Sequence, residues 1–301
     1  GAYFGLVFWA AGLGPKVQQV LIKILGVIWA GVALLGWAQL LWLPNLGWLE
    51  RLGWDPHQTR IVSTFLAPNL LGGFLVLGIA FSAGQMSQSS ISSTARRNWG
   101  ILAGFLLITT IFTYSRSALA ALLVLVVLIG WRYWKVAVAG IMILGLVYGF
   151  SPRLQSRIGG AVNLDVTAEY RLKSWDKAAT IIRQQPWLGV GYNTLQFTKD
   201  NYFYEPRSHA STGFDSSLLT IAATTGGLGV AVYLGLLVAI LVEAKRRLRS
   251  PIASGLAWAV IWGTSGLLVH SLFVNSWLYS PIMAAWWIMI GLMWNNQTND
   301  V

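Results

Sequence analysis

The chain has 301 residues, of which 55% are hydrophobic and 10% charged, with a formal net charge of +11 and mean hydropathy of +0.60. A soluble domain carries about 25% charged residues, so this composition excludes one. The absence of cysteine excludes disulfides, thiolate chemistry and Cys-based metal sites, and the positive charge does not point to nucleic acid, because the cations sit in short connections between apolar runs.

An apolar helix of about 20 residues crosses a bilayer. The chain order predicts an all-α, polytopic transmembrane bundle of about nine spans, over 1–13, 20–44, 61–83, 98–114, 117–134, 136–150, 216–242, 252–274 and 279–294. The first run, Ala2 to Leu13, is short for a span, so the chain is expected to begin inside a longer protein with further helices ahead of it. No secretory signal pattern is visible. One set of alternate connections holds ten cations: Lys16, Lys23, Arg96, Arg97, Arg132, Lys135, Lys245, Arg246, Arg247 and Arg249. The short connections of the other set hold three, Arg51, Arg60 and Arg116. The positive-inside rule assigns the first set to the cytoplasm. The expected organisation is a first bundle over 1–150, an extracytoplasmic (periplasmic) loop over 151–215, and a second bundle over 216–301. Trp42, Trp48, Trp99, Trp131, Trp134 and Trp277 fall near predicted span ends and fit an interfacial belt.

Within the long polar segment, Ala168 to Gln185 reads as a helix. Leu172, Trp175, Ala179 and Ile182 share one face at 3,4,3 spacing. Thr167 is the expected N-cap and Pro186 the stop. Such a helix would lie along the outer membrane surface or over the mouth of the bundle. Gly189 to Asn193 reads as a turn, since no strand precedes it and no Lys-Ser/Thr helix follows.

The residues that bear chemistry are few. An arginine costs about 2.5–3.5 kcal/mol at the centre of a membrane helix. Arg60 and Arg116 stand at the ends of apolar runs, where snorkelling lowers that cost and interfacial anchoring is the plain alternative. Two features favour a function. Arg116 lies in a very short turn among Tyr114, Ser115 and Ser117, and Arg60 precedes Pro68-Asn69, which should break the span and expose backbone. Arg171 lies in the polar segment on the same predicted side. An arginine fork binds phosphate oxygens bidentately, so cations gathered at one face suggest a site for an anion attached to a lipid. His209 and Asp215 are candidate general bases; a solvated loop histidine and a helix N-cap are their structural alternatives. His57 is expected to be inert and His270 to be a satisfied interhelical histidine. Three histidines far apart form no metal motif, and no nucleotide motif appears. The reading therefore includes no metal and no cofactor, and leaves chemistry on a pre-activated substrate, or none.

At these residues the chain resembles the O-antigen ligase and Wzy-type polysaccharide polymerase family of bacterial membrane proteins. Four patches carry the likeness. They are Arg60 with Phe65 and Pro68-Asn69; Ser115-Arg116-Ser117-Ala118; Arg171 and Trp175 with Gln185-Pro186-Trp187-Leu188-Gly189-Val190-Gly191; and Ser216-Ser217-Leu218-Leu219 through Thr225-Gly226-Gly227-Leu228-Gly229. The resemblance implies a glycosyltransferase of the plasma membrane. It would take glycan from a polyprenyl-diphosphate-linked donor to an acceptor glycan or lipid at the periplasmic face, without a metal. By that likeness Arg60, Arg116 and Arg171 bind the donor diphosphate, and Asp215 or His209 deprotonates the acceptor. The chain departs from the family in one place: ligases commonly carry His-Asn where this sequence has Phe214-Asp215, which favours a polymerase. The rival reading is a transporter of a small anion such as bicarbonate. It would require polar groups near the bilayer midplane and paired repeats, and neither is evident.

Overall fold

The computed structural model describes residues 2–53, 55–162, 165–198, 213–250 and 253–294. Among these every regular element is a helix, and no strand is formed. The helices are α1 (Gly5–Ala11), α2 (Pro15–Trp42), α3 (Pro68–Met86), α4 (Ser93–Phe112), α5 (Arg116–Gly130), α6 (Trp134–Phe150), α7 (Pro152–Val162), α8 (Val166–Gln184), α9 (Leu195–Thr198), α10 (Ser217–Arg247), α11 (Ser254–Ser271) and α12 (Ser280–Trp294). Helices α2, α3 and α10 are each long and apolar enough to cross a membrane. Residues 138–150 of α6 and 152–160 of α7 make a fourth such stretch, bent by 99° at Ser151.

Local chemistry sets the helix starts. Proline stands first in α2, α3 and α7, where its missing N–H has no helical partner to lose. Serine hydroxyls cap α4, α5, α7 and α10: Ser92 accepts from Ala95 N–H, Ser115 from Ala118, Ser151 from Leu154 and Ser216 from Leu219. Helix α3 is apolar all round and correspondingly buried on nearly every side, packed among α4, α5, α11 and α12. Its Gly72 and Gly73 admit close neighbours, since a Cβ there would lie 2.4 Å from Ala118 Cβ and 2.9 Å from the His270 ring.

The structure corrects several expectations. The third helix begins at Pro68, so Pro68-Asn69 opens it instead of breaking it. Residues 61–67 ahead of it hold a short 3-10 turn, Ser63–Phe65, with Ile61 and Val62 fully covered, Thr64 exposed, and Ser63 and Leu66 at positive φ. Gln39 of α2 satisfies this backbone: it donates to Arg60 O at 3.3 Å and accepts from Val62 N–H at 3.0 Å. Asp165 caps α8, accepting from Ala168 N–H at 3.0 Å, because the Thr167 hydroxyl is turned back onto the Asp165 carboxylate at 2.8 Å. The buried face of α8 is Ala178 and Ile181, with Leu172 exposed, because its neighbour is the start of α10. Trp277 is a core residue, 4.6 Å from Trp286 ring to ring, and Trp99 packs against Phe81. Trp42, Trp48, Trp131 and Trp134 are exposed, as a belt requires. The helix α7 escaped the sequence reading.

Helix α10 is broken at Gly226 (φ 65°, ψ −169°), and the segment after α8 docks into the break. Val190 N–H donates to Ala223 O and Gly191 N–H to Thr224 O, each at 2.9 Å; Gly227 N–H returns a bond to Pro186 O at 2.7 Å. The kink thus trades helical partners for partners in the Pro186–Gly191 turn. Only glycine fits: at Gly226 a Cβ would sit 2.2 Å from the Trp187 backbone, and at Gly189 (φ 63°) 2.5 Å from that of Thr224.

Candidate functional site

The site grows from the turn between α4 and α5. Tyr114 is forced to φ 50°, which lets Ser115 cap α5 and sets Arg116 at its first position. Arg60 lies beside this turn and is buried, 8% exposed. Its Nε donates to Thr113 O at 2.9 Å and a terminal nitrogen to Tyr114 O at 3.3 Å, satisfying carbonyls that the end of α4 leaves unpaired. Arg153 of α7 donates to Thr59 O at 2.9 Å and to Gln58 O, with its guanidinium 5.0 Å from the Tyr114 ring centroid. Both arginines therefore fasten the turn that presents Arg116.

Arg116 reaches Asp165 at 2.7 and 3.0 Å and also donates to the Thr167 hydroxyl. Arg157 of α7 stands 4.0 Å from the same carboxylate. Burial pushes the Asp165 carboxyl up, but the hydrogen bonds from Arg116, Thr167 and Ala168 N–H prevail and hold it down at about 2. The guanidiniums also feel one another. Burial first, then Arg157, Arg153 and Arg116, lowers Arg60 to about 9. Arg157 is lowered by burial and then by Arg116; Arg171 is lowered by burial, Asp215 opposing it, and then by Arg116. So Arg60, Arg157 and Arg171 all lie within the field of Arg116. Among the described residues, five guanidiniums gather here against the carboxylates of Asp165, Asp215 and Asp55.

Arg171 projects from α8 with its guanidinium 5.9 Å from the Phe273 ring centroid. Its Nε is buried and, among the described residues, has no hydrogen-bond partner. Next to it α8 is pinned to the start of α10: Trp175 Nε1 donates to Asp215 O at 3.1 Å, and Asp215 N–H donates to Ser174 Oγ at 3.0 Å. The Asp215 side chain is exposed, one residue ahead of the capping Ser216, so it is not itself the N-cap. Ser216 and Ser217 are structural. Their hydroxyls donate to Ser271 O at 3.3 Å and Val274 O at 3.1 Å, tying α10 to the end of α11. Phe214 is buried against Ala178 and Ile181, so a packing residue occupies this position.

Of the residues singled out from sequence, the structure brings Arg60, Arg116, Arg171 and Asp215 to one end of the bundle; His209 lies outside the described residues. His270 is fully buried, with Nδ1 2.5 Å from Ser276 Oγ and Nε2 3.3 Å from Ser117 Oγ, which satisfies both ring nitrogens. His57 is half-buried beside Arg60, and burial followed by that cation lowers it to about 4. Sequence reasoning missed Arg153, Arg157 and Asp165. A signal existed: Arg153 and Arg157 are four apart after Ser151-Pro152, the cap-and-proline start of a helix that shows them on one face.

The fold and this end of it define a class: a multi-pass helical membrane protein with an arginine cluster at one end of its bundle. Residues 101–234 match the O-Antigen ligase family, a likeness over that segment that supports a role in polysaccharide biosynthesis. The match contains Arg116, Arg171, the Gly189 turn and the Gly226 kink; Arg60 lies ahead of it. No curated protein matches the chain.

Proposed function

We propose that this protein is a plasma-membrane glycosyltransferase that moves or polymerises glycan from a polyprenyl-diphosphate donor at the periplasmic face, without a metal. The observation that carries the reading is the gathering of arginines at the α4–α5 turn: Arg116 and Arg157 stand 2.7 and 4.0 Å from one carboxylate, Asp165, Arg60 is bonded to the carbonyls of Thr113 and Tyr114, and Arg171 keeps a buried Nε without a partner among the described residues. On this reading the chain alternates through about nine spans, with residues 151–215 outside. The donor diphosphate would displace Asp165 from Arg116 and engage the unpartnered Nε of Arg171, while Arg60 adds field and holds the turn. The acceptor hydroxyl oxygen attacks the anomeric carbon of the donor sugar. The bond from that carbon to the phosphate oxygen breaks, and polyprenyl diphosphate leaves with the electron pair. The hydroxyl proton passes to the Asp215 carboxylate, or to His209. The arginines act where charge develops, on the departing diphosphate. Phe214, a packing residue where ligases carry histidine, favours polymerisation over ligation.

The test is surface polysaccharide in cells carrying Arg116→Ala or Arg171→Ala as the sole copy, with membrane insertion checked by protease protection. Loss of product with intact insertion is expected. Polymer of normal length and amount from both variants would sink the proposal.

A further inference from the structure

The opposite end of the α4–α5 hairpin holds a second assembly that the arginine cluster does not use. There the ends of α3, α4, α5 and α6 leave a cavity of about 690 Å³. Its walls are apolar: Leu107 and Gly104 of α4, Leu122 and Val126 of α5, Ala139 and Ile143 of α6. Its rim carries Arg96, Arg132 and Lys135, and no carboxylate lines it. All three rim cations are exposed to an incoming headgroup. The Arg132 guanidinium is oriented by the Tyr133 and Trp258 rings, 5.5 and 5.3 Å from their centroids, and by a 3.1 Å bond from Nε to Tyr133 Oη. That bond occupies Nε and leaves the terminal fork outside it.

We propose that this crevice is a binding site for one anionic glycerophospholipid of the bilayer. Its acyl chains would fill the space between α4, α5 and α6, and its phosphate would meet Arg96, Arg132 and Lys135. The dimensions suit such a ligand. Eleven residues separate Arg96 from Leu107 along α4, a rise of about 16 Å, close to the length of an extended acyl chain. The space is real along that path, since a Cβ at Gly104 would meet nothing within 4 Å. Charge complementarity selects an anion, because a zwitterionic headgroup would bring an ammonium into the same three cations. Basic pockets between membrane helices bind anionic headgroups by the same physics. Plain interfacial anchoring explains cations at a rim, but not an apolar crevice opening beneath them. The inference rests on membrane insertion alone and not on the glycan-transfer reading.

The experiment is native mass spectrometry of the full chain in detergent, titrated separately with phosphatidylglycerol, phosphatidylcholine and undecaprenyl phosphate. Wild type should retain one phosphatidylglycerol per chain and bind phosphatidylcholine at least tenfold more weakly, roughly the weight of the headgroup contacts. Arg132→Gln with Lys135→Gln leaves the crevice open and should weaken phosphatidylglycerol by about fivefold per cation removed. Gly104→Phe keeps every cation, fills the crevice and should abolish the stoichiometric lipid. Melting temperatures in the same detergent establish that both variants are folded. Equal binding of the two phospholipids, full retention by folded Gly104→Phe, or preference for undecaprenyl phosphate would each overturn the proposal.

Discussion

The two ends of the α4–α5 hairpin make the same choice of residue to opposite effect. At the Arg116 end, arginines close on structure: Arg60 on the carbonyls of Thr113 and Tyr114, Arg153 on Gln58 and Thr59, Arg116 on Asp165. At the Arg132 end, cations stand on the rim of an apolar crevice with no carboxylate to meet them. A cation on a membrane helix end is therefore uninformative until its counter-groups are known. Where carbonyls and a carboxylate already hold the guanidiniums, an incoming anion must compete, and pays back the field it relieves. Where no carboxylate lines the rim, an anion meets no such competitor.

That contrast can be tested most severely at Arg116. Arg116→Ala should lower glycan transfer in proteoliposomes by about 10²–10³-fold, the usual loss when one group that stabilises developing charge is removed. Arg183→Gln, exposed on α8 and away from the cluster, should leave turnover unchanged. A comparable loss in both would mean that general charge, not the turn geometry, matters. The next largest effect concerns the scaffold. Gly226→Ala introduces a side chain at φ 65° and 2.2 Å from the Trp187 backbone, and should cost about 1–3 kcal/mol of stability, read as a lowered melting temperature. An unchanged melting temperature would show that the kink relaxes without its docked turn.

Asp165→Asn sharpens the competition argument. Asparagine still caps a helix but no longer holds Arg116 by charge, so the apparent KM for donor should fall severalfold. A raised KM would make Asp165 a positioning group rather than a competitor. The smallest effects are in pH. His57, ordinarily near 6.5, is held at about 4, so the unfolded chain takes up its proton first as the medium acidifies. Stability should therefore drop between about 6.5 and 4, and His57→Gln should flatten that limb of the melting profile. The Asp165 contribution is complete above its ordinary 3.8 and is lost as pH falls through about 2, a limb that Asp165→Asn should remove.

The helical class and most apolar segments were legible because period and hydropathy are properties of neighbours in sequence. The α8 cap was not: Asp165 and Thr167 are both capable, and only the Arg116 guanidinium arriving from α5 sorts them. Nor was the burial of Trp277, because a tryptophan at a span end looks alike whether lipid or another ring lies beside it. Arg60, Arg116 and Arg171 could be chosen from sequence as cations that apolar surroundings make costly. That Arg116 is their common neighbour, that Arg153 and Arg157 join them, and that Asp165 sits among them depends on the 99° bend between α6 and α7, which folds the start of the polar segment back over the α4–α5 turn.

By itself, then, the sequence determined the solvent this protein lives in and the few charged groups it can use there, because both follow from composition and short-range order. Only the tertiary structure decided which cations face a carboxylate, which face an apolar crevice, and why glycine stands at 189 and 226. Those outcomes are set by contacts between segments distant in the chain, where a single close approach, such as the Trp187 backbone at Gly226, admits one residue and no other.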